Sequence, residues 1–388
     1  MSTDPLGALV PGWEPPVDDG GGVGPLAGLS VVVKDVIDVA GAVTGGGNPD
    51  WAAAHEPAKD SAAAVTALTG AGASVAGKGQ CAELAFSLSG DNAHFGMPTN
   101  PAAPDCDPGG STSGPASAVA GGLCDLGLGT DTLGSIRVPA SYCGVYGYRP
   151  THGRIPVVGV MPLARSFDTV GLLAGEPEHL RGAAEALLGA DPGKSSPPSR
   201  LLISPILLSA AEDEVAEATR VVAGDLARRL GVELSETRLL DDAPTPEEAM
   251  AAFNVLQGVQ VWRNYGDWVE SSSPSLGSDI AARLERAAGL GAADVADAEQ
   301  VAEAVAAAVA RLGPDEVLVL PTTGTPAPAR DADPDQRERA RVSAGRLTSI
   351  ATFAGAPAIS IPLLQVGNPV GLSLVGTPGS DLRLLAAA

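Results

Sequence analysis

Short apolar runs alternate with segments of helical spacing along most of the chain. Apolar runs bounded by turn residues are typical of buried strands. They occur at 30–33, 73–76, 201–203, 317–320 and 358–361, and an alternating run follows at 369–375. Helical spacing covers 61–70, 83–88, 176–188, 215–230, 240–296 and 301–312. Strands that alternate with helices in this way predict an α/β fold.

One helix start carries a specific pattern. Ser209 and Glu212 have the spacing of a capping box, in which the two side chains satisfy free amides of the first helical turn. We therefore expect a helix to begin directly after Ser209. One face of that helix is apolar and contains Val215, Val222, Leu226 and Leu230.

The stretch 108–150 contains two clusters of glycine and serine. One cluster surrounds Ser111 and the other surrounds Ser135, and each offers a hydroxyl on a backbone that only small residues allow. The apolar run 116–128 lies between them. It predicts a helix entered at Pro115, since proline suits a first helical turn, followed by a short buried strand.

Composition bears on the domain organisation. The chain has 388 residues, enough for a sizeable core, and only 3% are aromatic, so small aliphatic residues must build that core. Residues 1–29 are rich in glycine, proline and aspartate and predict an irregular N-terminal arm. Residues 30–388 are interpreted as one domain, and the proline- and serine-rich segment 189–200 as an exposed loop within it.

Charge and cysteine usage exclude several classes of function. A formal net charge of −22 argues against nucleic acid and anionic membrane surfaces as partners. We find neither a signal-peptide pattern nor an apolar run of about 18 residues, so no membrane span is expected. The widely spaced cysteines predict free thiols in a reducing cytoplasm, and the histidines show no metal-ligand spacing, so no metal or other cofactor is expected.

Two familiar interpretations of such glycine-rich segments are weak here. Residues 129–135 have the outline of a phosphate-binding loop, but the lysine that precedes the hydroxyl residue in such loops is missing. A histidine-dependent serine hydrolase would need a nucleophile elbow, which is absent, and His152 is only a loop candidate for its base.

Among the lysines, Lys34 has the position that best suits a catalytic base. It closes the apolar run 30–33 and precedes Asp35. Strand ends in α/β sheets often carry active-site groups, although a solvated lysine at a surface strand end gives the same pattern. If Lys34 is buried, its ammonium form is disfavoured, so the neutral amine could take a proton from a serine.

These residues together carry a family resemblance. The segments 33–35, 109–114 and 129–140, with Ser111 and Ser135 placed 24 positions apart, resemble the amidase signature family. Further similar segments are 47–51, 92–96, 142–151, 166–171, 264–268, 320–323 and 369–375. Within the family, the chain resembles indole-3-acetamide hydrolases and the amidase-like domain of a chloroplast outer-envelope import receptor.

The resemblance implies a single large domain with a mixed, twisted sheet flanked by helices on both faces. It also implies a catalytic triad in which Ser135 is the nucleophile, Ser111 relays a proton and Lys34 is the base. A cis peptide bond would join Gly110 to Ser111. The implied oxyanion hole consists of backbone amides of Thr132, Leu133, Gly134 and Ser135, and the implied supporting side chains are Thr112, Asp131 and Arg137.

Leu133 departs from the family pattern, which usually has glycine at this position. If the backbone there required a positive φ, leucine would be unfavourable. Trp51, Phe86, Met161 and Trp268 are candidates for an aromatic-acyl pocket, although ordinary packing is the favoured interpretation for each of them. Asp168 and His94 are expected to order loops.

The resemblance implies an amidohydrolase that cleaves a linear carboxamide to a carboxylic acid and ammonia or an amine, through an acyl-enzyme on Ser135. Indole-3-acetamide or another aryl-acetamide is the expected small-molecule substrate, in a cytoplasmic protein that could form a homodimer. The alternatives are an aryl-amide or ester hydrolase, a non-catalytic amidase-like interaction domain, and an amidotransferase subunit.

Overall fold

The structure is a computed structural model that describes residues 4–13, 22–189 and 196–388. It confirms the expected α/β fold, with one large mixed sheet flanked by helices. The strands are β1 Ser30–Lys34, β2 Ser74–Gly79, β3 Leu126–Asp131, β4 Tyr146–Arg149, β5 Thr169–Ala174, β6 Arg200–Ile203, β7 Glu233–Glu236, β8 Glu316–Pro321, β9 Ala358–Val366 and β10 Asn368–Val375.

Twelve α-helices are found among these described residues. They are α1 Pro49–Ala53, α2 Ala63–Gly70, α3 Ser113–Ala120, α4 Arg137–Cys143, α5 Pro177–Leu188, α6 Pro205–Ser209, α7 Asp213–Leu230, α8 Pro246–Ser272, α9 Ser278–Ala288, α10 Ala292–Val309, α11 Pro334–Phe353 and α12 Asp381–Ala387. Within the described part of the chain, no helix is long and apolar enough to cross a membrane.

The sheet has the strand order β2-β1-β3-β5-β4-β9-β10-β8-β6-β7. Strands β2, β1 and β3 run parallel at one edge, whereas the central strands from β3 to β8 pair antiparallel. Because β1 lies between β2 and β3, its last residue, Lys34, pairs with Gly79 of β2 and directly follows Val33, which pairs with Leu128 of β3. This arrangement buries the end of β1 beside the end of β3.

The helix α3 approaches β3 very closely. A Cβ on Gly129 of β3 would lie 2.3 Å from Cγ2 of Thr112, the residue that precedes α3. Small residues on both elements therefore bring the turn before α3 into contact with the strand. The low aromatic content of the chain is consistent with such close packing.

Two local predictions are wrong. Ser209 does not form a capping box: it is the last residue of α6, and its hydroxyl donates to the carbonyl of Ile206 at 2.8 Å. Pro205 starts this extra helical turn, and α7 begins only after Glu212, with no side-chain cap. The predicted helix 83–88 is a single 3₁₀ turn at Glu83–Ala85, because Leu84 and Ala85 have φ of 50° and 57°, outside the helical region.

The N-terminal residues that are described lie along the free edge of β2. Leu9 forms a bridge to Gly79, and the amide of Val10 donates to the carbonyl of Lys78 at 2.8 Å. Residues 1–3 and 14–21 of the expected arm, and 190–195 of the expected exposed loop, lie outside the described residues.

Candidate active site

Lys34 ends β1 in the interior of the protein, and its side chain is fully buried. Its Nζ lies 2.7 Å from Oγ of Ser111 and 2.8 Å from Oγ1 of Thr130. The alternative of a solvated lysine at a surface strand end is therefore wrong. Parallel pairing of β1 with both neighbours covers the strand end, which the sequence of β1 alone does not reveal.

Burial also changes the acidity of this amine. It lowers the pKa of Lys34 from 10.5 to about 8, against the opposing influence of Cys81, Asp131 and Asp168. The partners of Nζ are two neutral hydroxyls, and neither compensates an ammonium charge as a carboxylate would. Part of the Lys34 population is consequently in the neutral amine form near physiological pH.

Ser111 sits in the turn that precedes α3. The peptide bond between Gly110 and Ser111 is cis, as the family resemblance implied. The carbonyl of Ser111 accepts from the amide of Ala82 at 3.2 Å, and the amide of Gly110 donates to the carbonyl of Leu88 at 2.8 Å. A Cβ on Gly110 would lie 2.0 Å from the carbonyl oxygen of Ser89, so only glycine allows this contact.

Ser135 lies in the loop between β3 and α4 and is almost completely buried. Its carbonyl accepts from the amide of Thr112 at 3.2 Å, which ties it to the residue after Ser111. Within the described ranges, no hydrogen bond joins its hydroxyl to Ser111 or to any other residue. Lys34 and Ser111 are thus brought together directly, and Ser135 is brought to the same turn through the backbone.

The loop that contains Ser135 presents free amides. Among described residues, the backbone amides of Leu133, Gly134 and Ser135 donate to no acceptor. The side chain of Thr132 donates to Oδ1 of Asp168 at 2.8 Å, and Asp168 also accepts the amide of Ala164 at 3.0 Å. Asp168 therefore orders loops, as expected.

Leu133 fits this loop without backbone strain. In the described ranges, the residues other than glycine with positive φ are Leu84, Ala85 and Ser273, so the strain considered for Leu133 is absent. The leucine side chain is buried against α11, where a Cβ on Gly345 would lie 3.3 Å from its Cδ2. Its carbonyl accepts from Thr352 on the same helix at 3.2 Å.

A buried ionic cluster supports the same loop. Oδ1 of Asp131 lies 2.9 Å from Nη2 of Arg137 and 3.0 Å from Nη1 of Arg149, and its Oδ2 accepts the amide of Ile136. Burial would raise the pKa of Asp131, but the two guanidinium groups outweigh it and hold the pKa well below its usual range. Thr112 contributes a weaker contact, from its hydroxyl to the carbonyl of Thr130 at 3.3 Å.

Replacing Asp131 with alanine is expected to lower the free energy of unfolding by about 3–5 kcal/mol, because two buried guanidinium groups lose their shared carboxylate. Chemical denaturation measures this loss. Glu217→Ala is the control, since Glu217 pairs with Arg220 at the surface, where such pairs contribute about 1 kcal/mol or less. Equal losses in the two variants would contradict this account of the cluster.

Sequence reasoning missed two residues of the site, Thr130 and Arg149. Thr130 binds Nζ of Lys34, and Arg149 binds both the carboxylate and the carbonyl of Asp131. Arg149 lies in the similar segment 142–151, at the end of a short strand before Pro150, but this placement does not indicate its role. No local pattern distinguishes Thr130 from other strand threonines.

Three of the four candidates for an aromatic pocket lie close together. Trp51 stacks on His55 at 4.1 Å and meets Trp268 edge-on at 5.1 Å, while Met161 packs near Gly46. Phe86 lines a wide cavity of about 1080 Å³, whose lining does not include the other three. His94 binds Glu83 at 2.9 Å and orders its loop.

The mixed sheet thus buries a lysine against one serine turn, next to a second serine with free amides around it. Residues 17–385 match the family model described as Amidase. The chain therefore belongs to the amidase family and is an amide-hydrolysing enzyme. The resemblance inferred from its motifs is confirmed.

Similar proteins agree with this assignment over almost the whole chain. Amidase 1 of Arabidopsis thaliana is 38% identical over 93% of this chain and 92% of its own length. Indoleacetamide hydrolase of Pseudomonas savastanoi is 33% identical, over 93% of this chain and 82% of its own. Translocon at the outer membrane of chloroplasts 64 of Pisum sativum is also 33% identical, over 93% of this chain and 65% of its own.

The fold has a close match among solved structures. A protein described as "Crystal structure of amidase" superposes with a TM-score of 0.82 and 30% identity, over 94% of this chain and 83% of that one. The match covers nearly all of this chain and so extends well beyond the motif segments.

Proposed function

We propose that this enzyme hydrolyses a linear carboxamide through an acyl-enzyme on Ser135, with Ser111 and Lys34 as the proton relay. The observation that carries the proposal is the distance of 2.7 Å between Nζ of Lys34 and Oγ of Ser111 in a buried site. A neutral amine can accept the proton of Ser111 as Ser111 accepts that of Ser135.

Each proton and bond is accounted for in the proposed steps. Oγ of Ser135 attacks the carbonyl carbon, and its proton passes through Ser111 to Lys34. The tetrahedral intermediate then collapses, the carbon–nitrogen bond breaks, and the leaving nitrogen takes the proton back through Ser111. Water hydrolyses the resulting ester of Ser135 by the same relay, which releases the carboxylic acid.

Backbone amides would stabilise the oxyanion of that intermediate. The amides of Leu133, Gly134 and Ser135 are free of partners in the described structure, and Thr132 is held beside them by Asp168. One such donor typically contributes about 2.7–4 kcal/mol to the transition state. The side chains of Asp131 and Arg137 would keep the loop in place through their buried ion pair.

The relay predicts a pH dependence. Because the pKa of Lys34 is lowered to about 8, the amine is protonated and inactive below that pH and neutral above it. We expect kcat/KM to rise about tenfold per pH unit below this pKa and to level off above it. A steady-state pH profile measures the rise, and a rate that falls as pH increases from 6 to 8 would contradict the proposal.

The proposed substrate class is the aryl-acetamides, indole-3-acetamide among them, and it is supported by the similarity to a protein named indoleacetamide hydrolase. Ammonia release from a panel of primary amides, with aniline release from anilides and acid release from small esters measured beside it, tests both reaction and substrate. Release from aryl-acetamides supports the proposal, whereas faster cleavage of anilides or esters favours the aryl-amide or ester alternative.

The same panel tests the non-catalytic alternative. No turnover of any compound would favour an interaction domain, as the similarity to the chloroplast translocon protein suggests. Against that alternative, Lys34, Ser111 and Ser135 are all present and the first two are in hydrogen-bond contact.

A further inference from the structure

The cavity beside Phe86 lies next to the proposed reaction centre. One segment, 82–89, separates the two: the amide of Ala82 donates to the carbonyl of Ser111, while Phe86, Ser87 and Ser89 line the cavity. The opposite wall consists of parts of α8, α9 and the beginning of α11. The same segment therefore borders both the turn that carries Ser111 and the cavity.

The charges of the cavity wall are arranged unevenly. Four arginines and four carboxylates line the cavity, and three of each form the pairs Arg283–Asp279, Arg337–Asp91 and Arg341–Glu338. The paired arginine side chains are only 16–31% exposed, whereas their acidic partners are 46–61% exposed. The guanidinium groups thus form the inner wall, and the carboxylates lie toward solvent.

Arg283 has unused hydrogen-bonding capacity. Its Nη1 donates to the carbonyl of Phe86 at 3.0 Å, and its guanidinium carbon lies 6.0 Å from the centre of that ring. Its Nη2 is 3.8 Å from Asp279, too far for a hydrogen bond. Among the described residues, Nε and Nη2 therefore have no acceptor.

The other two arginines differ from Arg283 in this respect. Arg337 donates to two carbonyls and to Asp91, and Arg341 binds both oxygens of Glu338. Burial and the nearby charge of Arg341 lower the pKa of Arg283 to about 10, so it remains cationic at neutral pH. Arg283 is consequently the inner-wall cation best able to accept a new anionic partner.

We propose that the cavity binds the part of the substrate remote from the reacting amide, and that Arg283 selects amides carrying a carboxylate there. This inference rests on the proposed function of Ser135. A guanidinium offers two parallel donors to a carboxylate. Phe86, Val255 and Leu290 give the cavity apolar surface for the aryl part.

A matched pair of substrates tests the proposal. Para-carboxyphenylacetamide carries the anion, and para-nitrophenylacetamide has nearly the same shape without a net charge. For wild-type enzyme, KM is expected to be at least about tenfold lower for the carboxylate compound than for the nitro compound. A charge-assisted hydrogen bond contributes about this much to affinity. Equal KM values for the two compounds would overturn the proposal.

Variants localise the effect. Arg283→Gln is expected to abolish most of the KM ratio between the two amides, and Arg283→Lys to keep part of it. Asp279→Asn should increase the ratio, because it removes the carboxylate that competes for Arg283. Arg200→Gln is the control, since Arg200 pairs with Glu316 at a distant strand edge. If Arg283→Gln raises KM equally for both amides, its role is structural and the proposal fails.

Binding separates this proposal from the proposed function. Calorimetric titration of the Ser135→Ala variant with each amide measures affinity without turnover. Preference for the carboxylate supports the role of Arg283 even if wild-type enzyme releases no ammonia, which would refute only the proposed reaction. Turnover of both amides with no preference in binding would refute only the role of Arg283.

Discussion

The Ser135→Ala variant is expected to lose ammonia release by a factor on the order of 10⁴ or more, because the oxygen that attacks the carbonyl is removed. The variant should fold normally. The hydroxyl of Ser135 makes no hydrogen bond among the described residues, so its loss costs little stability. Steady-state ammonia release and thermal unfolding measure the two effects.

Ser113→Ala is the matched control for this variant. Ser113 lies two positions after Ser111, and its buried hydroxyl also lacks a partner within the described chain. It has no part in the proposed relay, so activity should be retained. If Ser135→Ala keeps substantial ammonia release, Ser135 is not the nucleophile.

The Lys34→Met variant is expected to lose activity by a factor on the order of 10³ to 10⁴, because the relay has no base. Methionine has nearly the same length and suits a fully buried position, so the fold should persist. Lys34 has only hydroxyl partners, and its removal leaves no buried charge unpaired. Ammonia release is again the measurement.

Lys78 provides the contrasting variant. It is the buried lysine of the neighbouring strand β2, and its Nζ lies 3.2 Å from the carboxylate of Asp35. Lys78→Met leaves that carboxylate unpaired, so a loss of stability of about 3–5 kcal/mol is expected. A Lys34→Met variant that unfolds as readily as Lys78→Met would contradict the different environments assigned to the two lysines.

From the sequence, the residues of the candidate site could be predicted more completely than the parts of the fold that enclose them. The strand before Lys34 and the two serine turns were recognisable, because short apolar runs and glycine-rich turns are local patterns. The burial of Lys34 was not, because it depends on parallel pairing with β2 and β3, whose residues lie about 40 and 95 positions further along. Thr130 was missed for the same reason.

Helix α11 shows why an element can be missed. It spans 20 residues and begins with a capping box of Asp333 and Gln336, which could have been recognised. Its buried face, however, includes Thr348, Ser349 and Thr352. Thr348 and Thr352 stabilise the loop that contains Ser135. The carbonyl of Thr348 accepts from the guanidinium of Arg137 at 3.0 Å, and the hydroxyl of Thr352 donates to the carbonyl of Leu133 at 3.2 Å. Polar residues that satisfy buried partners blur the apolar periodicity from which helices are predicted.

Covalent labelling with phenylmethanesulfonyl fluoride, followed by peptide mapping at several times, tests the proposed relay most directly. The account predicts a sulfonyl adduct on Ser135 in wild-type enzyme, and much slower labelling of the same residue in the folded Lys34→Met variant. An adduct on another serine, or labelling of Ser135 at an unchanged rate without Lys34, would contradict it.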